Sequence, residues 1–140
     1  FSEMGNTVVA ISPDSKALYH AAAVMVSNQI VALADMGTAL LVKCGFSEAA
    51  AAEALSPLLL GNAQSVAEKG AVNALTGPIE RGDAQTVSKH LQEIRKFAAE
   101  STVGQDILTA YTALSKQLIR IAQQKHPQKD YKHLEKELEQ

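Results

Sequence analysis

The sequence predicts an all-α protein, a helical bundle built around one long central helix. Three observations carry that prediction. Residues 14–44 are apolar almost all round when successive side chains are set about 100° apart. Downstream, apolar residues recur at helical spacing, as in Val87, Leu91, Ile94 and Ala98, and again in Ile107, Tyr111, Leu114, Leu118 and Ile121. Against these, only one short run, residues 7–11 (Thr-Val-Val-Ala-Ile), is β-branched enough to be a strand.

Taken in order, that run comes first. A single strand cannot make a sheet, so residues 1–12 read as the end of another domain whose sheet lies upstream. The first residue, Phe1, also suggests a fragment. The central helix follows, opened by Ser12, Pro13 and Asp14 and stopped at Gly45. Lys16, His20, Ser27, Asn28, Asp35 and Thr38 fall in one narrow stripe, together with Val24 and Val31, and nearly everything else is apolar. A helix of this kind needs neighbours on several sides. At roughly 1.5 Å per residue it would be about 45 Å long, which points to a core shared between two copies.

Ser47 caps a short Ala-rich helix, and Ser56-Pro57 kinks it or starts the next one, which Gly70 closes. Residues 71–82 read as the longest break in the helical pattern. Asp83 caps the following helix, with His90 on its surface, and Thr102 with Gln105 suggests a capping box for the last long one. The helical domain is thus assigned to residues 13–125. Residues 126–140 form a short charged tail that frays or docks on a partner.

Composition narrows the function. Net charge is −2, aromatic residues make up 4% and Trp is absent, so neither a nucleic-acid surface nor a stacking platform is indicated. His20, Ser27, Asn28, Gln29 and Asp35 interrupt the apolar helix and make it a poor membrane span. With one cysteine, Cys44, there is no internal disulfide, and a cytoplasmic location fits. The four histidines lack metal-ligand spacing, and neither a glycine-rich phosphate loop nor a serine nucleophile elbow is present.

Two places carry polar chemistry. His20 and Asn28 lie two turns apart on the stripe, either as core residues that satisfy each other or as the wall of a cleft. The loop Leu75-Thr76-Gly77-Pro78-Ile79-Glu80-Arg81-Gly82-Asp83 combines a hydroxyl, a guanidinium and flexible glycines. Such a loop can grip a carboxylate or phosphate, or simply turn the chain with Arg81 in water.

Leu18-Tyr19-His20-Ala21-Ala22-Ala23-Val24 with Ser27-Asn28, and then Leu75-Thr76-Gly77-Pro78-Ile79 with Arg81-Gly82-Asp83, resemble one family in the same order. It is the C-terminal helical domain of unknown function that follows a Rossmann-like NAD(P)-binding domain in bacterial proteins. The resemblance spans roughly residues 12–124. More distantly, the chain is similar to the helical C-terminal domains of pyrroline-5-carboxylate reductase and the 6-phosphogluconate dehydrogenase superfamily.

The resemblance implies a homodimer formed around the long helix, with a small-molecule substrate between it and a nucleotide domain. Residues 7–11 would be the last strand of that Rossmann domain, which would bind most of the NAD(P). Hydride would pass between nicotinamide and a small carbonyl or imine. His20 would be the acid/base or orienting donor with Asn28 its partner, while Ser27, Thr76 and Arg81 would contact substrate. The superfamily's hydroxyacid dehydrogenases place a lysine and an asparagine one turn apart on the equivalent helix; here His20 takes the lysine's place and Asn28 lies two turns on. The alternative is a non-catalytic helical dimerisation or ligand-sensing module. On either reading the chain alone is expected neither to bind nor to turn over NAD(P)H.

Overall fold

The computed structural model describes residues 9–139 and is all-α, with no strand among them. Of the expected strand, residues 7 and 8 lie outside the described residues. Val9, Ala10 and Ile11 are exposed and have no regular structure. The chain divides into two compact units, Phe1–Ala52 and Glu53–Gln140.

In the first unit a single 3-10 turn, Pro13–Ser15, leads into α1 (Lys16–Val26) and α2 (Asn28–Lys43). The long helix is therefore broken in two. Ser27 is the break: its ψ of −69° departs from the helical value, and its Oγ donates to the Ala23 carbonyl at 2.7 Å. That carbonyl also accepts from the Ser27 amide at 3.0 Å. A hydroxyl that bonds back one turn bends a helix, an effect that apolar periodicity does not reveal. Gly45, at φ 95°, ends α2 in a Schellman motif. The Gly45 amide donates to Val42 O and the Phe46 amide to Leu41 O.

The expectation that this helix is buried is not met within one chain. Neither α1 nor α2 contains a buried residue. Leu18 and Val26 are each 76% exposed and Val31 67%.

The third helix, α3 (Glu48–Ala74), crosses the division between the units. Ser47 caps it, with the Ala50 amide donating to its Oγ at 3.2 Å. It runs through Pro57, where the sequence suggested a kink or a new start. Its non-helical residue is Gly70 (φ 74°, ψ 163°), after which one more turn forms. Residues 71–74, read as the start of a break, are thus helical. Leu58, Leu60 and Val66 on α3 are exposed.

The second unit holds the core. Here α4 (Pro78–Arg81) is a single turn, followed by α5 (Ala84–Glu100), α6 (Thr102–Lys125) and α7 (Lys132–Glu139). Leu75, Ile79, Val87, Leu91, Ile119, Ala122, Tyr131, Leu134 and Leu138 form one apolar cluster. Asp83 caps α5 as expected, accepting from the Thr86 amide at 3.0 Å, and the buried face is Val87, Leu91, Ile94 and Ala98 as the spacing predicts.

For α6 the register differs. Ser101, one residue before the expected Thr102, is the cap and accepts from the Gly104 amide at 3.0 Å. The buried face runs through Gly104, Ile107, Ser115, Ile119 and Ala122, leaving Leu114 exposed. Gly104 sits where the two helices cross. An added Cβ there would lie 2.4 Å from the Phe97 carbonyl oxygen. The charged tail, finally, docks on its own chain: Tyr131, Leu134 and Leu138 are buried in the core.

Candidate functional site

The sequence-derived residues fall into two sets, one in each unit. His20, Ser27 and Asn28 belong to the first. His20 lies on α1 and Asn28 opens α2, and both side chains are exposed. Ser27 Oγ, whose one proton also points to Ala23 O, lies 2.9 Å from Asn28 Oδ1, so the two acceptors share it. A serine and an asparagine paired at a helix break put polar groups on a largely apolar surface.

Thr76 and Arg81 belong to the second unit, and both are exposed. Gly77 at φ 97° and Gly82 at φ 72° bracket α4, so a left-handed residue sits on either side of the one-turn helix. The loop is held from behind by the segment that follows α6. Lys125 Nζ donates to Leu75 O at 2.7 Å, and His126 Nε2 meets Glu80 Oε1 at 2.5 Å. The Tyr131 hydroxyl donates to Glu80 O at 2.9 Å. These contacts fix the turn while leaving Thr76 and Arg81 on its outer side.

The same contacts set the titration of the cluster. The hydrogen bond from His126 holds the Glu80 carboxyl below its ordinary value; partial desolvation opposes this, and the charges of Lys125, His126 and Lys129 reinforce it. Tyr131 is pushed up, first by desolvation and then by the Glu80 charge. Asp83 is lowered by its hydrogen bonds from the Thr86 side chain and amide. Sequence reasoning missed the Glu80–His126–Tyr131 cluster because its members lie far apart in the chain. In the sequence His126 is only the first residue of the charged tail. The one available signal was the basic pair Lys125-His126 at a helix C-terminus.

His90, expected at the surface, is exposed, but its Nδ1 lies 3.0 Å from the Tyr111 hydroxyl. Tyr111 in turn hydrogen-bonds Ser115, and desolvation raises its pKa against that bond. This is a link between α5 and α6. A shallow groove of about 220 Å³ opens elsewhere in the unit, lined by Lys116, Ile119, Arg120, Glu135 and Glu139. Among the described residues no group of three His, Cys, Asp or Glu side chains could hold a metal ion.

A family model described as a domain of unknown function, DUF2520, matches residues 1–118. The chain belongs to the DUF2520 family. No curated protein and no solved structure matches it. The likeness of this DUF2520 chain to the reductase and dehydrogenase domains therefore rests on the two sequence motifs alone. The matched residues take in His20, Ser27, Asn28, Thr76 and Arg81, whereas Lys125, His126 and Tyr131 lie beyond them.

Proposed function

We propose that this DUF2520 chain is a non-catalytic helical docking module, a part that holds polypeptide surfaces together. One observation carries the reading: α1 and α2 are strongly apolar yet contain no buried residue. Apolar helices without a buried residue are costly to leave in water, so these helices call for a surface to cover them. Calorimetry of the chain against NADH and NADPH, with an assay of hydride transfer to carbonyl and imine compounds, tests the non-catalytic part. Neither heat of binding nor turnover is expected. Saturable micromolar binding, or any turnover, would overturn it.

The finer reading makes the module the dimerisation and substrate-binding part of an NAD(P)-dependent oxidoreductase. The Ser27–Asn28 pair supports it, because polar groups set in an apolar helix can orient a small substrate. In that reading the nucleotide is held mainly by a Rossmann domain outside this chain, and the enzyme is cytoplasmic. His20 serves as acid/base or orienting donor and Asn28 as its partner. Ser27 contacts a small carbonyl or imine substrate; Thr76 and Arg81, in the other unit, are the groups suited to an anionic part of a substrate. Hydride transfer by the same chain joined to a nucleotide domain, lost on replacing His20, separates this reading from the first.

A further inference from the structure

We infer that residues 126–139 form a strap. Its docking holds the loop at residues 75–83 in shape, and strap and loop open together while α5 and α6 stay packed. The inference stands apart from both functional readings above. It bears on them because the loop carries Thr76 and Arg81.

Neither partner can hold its shape alone. The α7 helix has eight residues, and an isolated helix below about 12–15 residues is marginal in water. It is helical because Leu134 and Leu138, with Tyr131 just before it, are buried against α5 and α6. The α4 helix is a single turn between two left-handed glycines. The Asp83 and Gly82 amides meet its Pro78 and Ile79 carbonyls, and the next carbonyl, Glu80 O, is taken by the tail. The Tyr131 hydroxyl donates to that oxygen at 2.9 Å and Lys129 Nζ at 3.4 Å. Lys125, the last residue of α6, reaches both ends of the loop. Its Nζ donates to Leu75 O at 2.7 Å and lies 3.8 Å from Glu80 Oε1, the oxygen that His126 also meets. The Lys129 stem lies over Gly82, where an added Cβ would be 3.1 Å from its Cε.

The α5–α6 pair has separate support. Ile94, Ala98 and Ile107 are buried outside the cluster that takes in the tail, and Gly104 brings the two helices close at that end. Proteins open locally in contiguous units of this kind, at a free energy below that of global unfolding. Strap and loop share their bonds, so losing one loses the other, whereas the crossing keeps its own contacts. The coupling is reciprocal: a ligand that binds the loop in its held form also tightens the strap.

Hydrogen–deuterium exchange of the full chain, read by mass spectrometry, tests this. Peptides spanning the loop and the tail should show equal protection, and the α5–α6 crossing more. Tyr131→Phe keeps the ring in the core and removes one hydroxyl. It should speed loop and tail exchange alike, by roughly 2–12-fold. Leu138→Ala alters no group that bonds the loop, yet it should speed both by roughly 30-fold or more and leave the crossing unchanged. If Leu138→Ala fails to fold, Tyr131→Phe decides alone. A tail that quickens while the loop keeps its parental rate would mean that the loop holds itself. Equal quickening of all three segments would mean that no separate unit exists. Either result, or no change in the loop and tail, overturns the strap.

Discussion

Replacing Gly104 by alanine tests the packing of the second unit against a rule that predicts the opposite sign. Gly104 lies within the first turn of α6, where helix propensity alone favours alanine by about 1 kcal/mol. Here the added Cβ would stand 2.4 Å from the Phe97 carbonyl oxygen, 2.5 Å from its carbon and 2.7 Å from the Ala98 nitrogen. All three are backbone atoms of α5, so no side chain can swing aside, and the helices must separate by about 1 Å. Overpacking of this kind costs about 3 kcal/mol at the upper end of its range. Subtracting the propensity gain leaves a net loss of about 2 kcal/mol. For a unit of this size each kcal/mol moves Tm by about 4–8 °C, so Gly104→Ala should melt about 8–16 °C lower. Gly61 is the internal control, a helical glycine with nothing within 4 Å of its added Cβ. Gly61→Ala should keep the propensity gain and melt no lower than the parent. Thermal unfolding by circular dichroism reads both variants. A Gly104→Ala protein that melts at or above the parent temperature would refute the close α5–α6 crossing.

Three further outcomes are expected. Because the folded pKa of Glu80 lies below its ordinary value, the Glu80–His126 pair stabilises the fold above that value. That contribution is lost as pH falls through the lowered pKa, so Glu80→Gln should flatten the acid side of a plot of denaturation midpoint against pH. Leu134→Ala should lose about 2–5 kcal/mol in urea unfolding, since the side chain is fully covered; a loss near zero would mean that α7 is a dispensable tail. Under the oxidoreductase reading, in a protein that carries the nucleotide domain, His20→Ala should lower kcat roughly 10²–10⁴-fold. Arg81→Ala should there chiefly raise KM, and undiminished activity in the His20 variant would remove it from the chemistry.

Where a helix has one apolar and one charged face, the sequence is a good guide. On α5 the apolar positions Val87, Leu91, Ile94 and Ala98 stand among Lys89, Gln92, Glu93 and Lys96, so the buried side was plain. On α6 the expected seam is met at Ile107, Tyr111, Leu118 and Ile121, which are buried or pack on the core, while the buried residues Gly104 and Ser115 carry no hydrophobic mark. Leu114 fitted a regular seam and is exposed nonetheless. The tail was expected to fray or dock on a partner; its apolar residues at positions 131, 134 and 138 have helical spacing and are buried in its own chain instead. The break at Ser27 was invisible for another reason. It depends on one hydroxyl returning to a carbonyl one turn back, which serine does in some helices and not in others. Of the candidate site, Ser27 and Asn28 are neighbours in sequence and both were named, but the partner expected for Asn28 was His20, and the structure pairs it with Ser27. The Glu80–His126 pair is a product of the tertiary fold.

The two kinds of helix in this chain make different demands, and that difference joins the docking surface to the candidate site. An amphipathic helix such as α5 is satisfied by packing one side, and α6 and α7 supply it. A helix that is apolar nearly all round needs neighbours on most of its circumference, and α1 and α2 have no buried residue. The stripe bearing His20, Ser27, Asn28 and Asp35 is the side that gains least from being covered, because its polar groups would lose water. Association that covers the apolar sides would therefore leave this stripe open. The outcome is a polar strip walled by apolar surface, the composition of a small-molecule cleft. On this argument the interface would come first and the cleft would follow from it. A change that leaves those apolar sides uncovered, such as Leu18→Asp with Val26→Asp, should then abolish any ligand binding at His20 and Asn28 even though neither residue is altered.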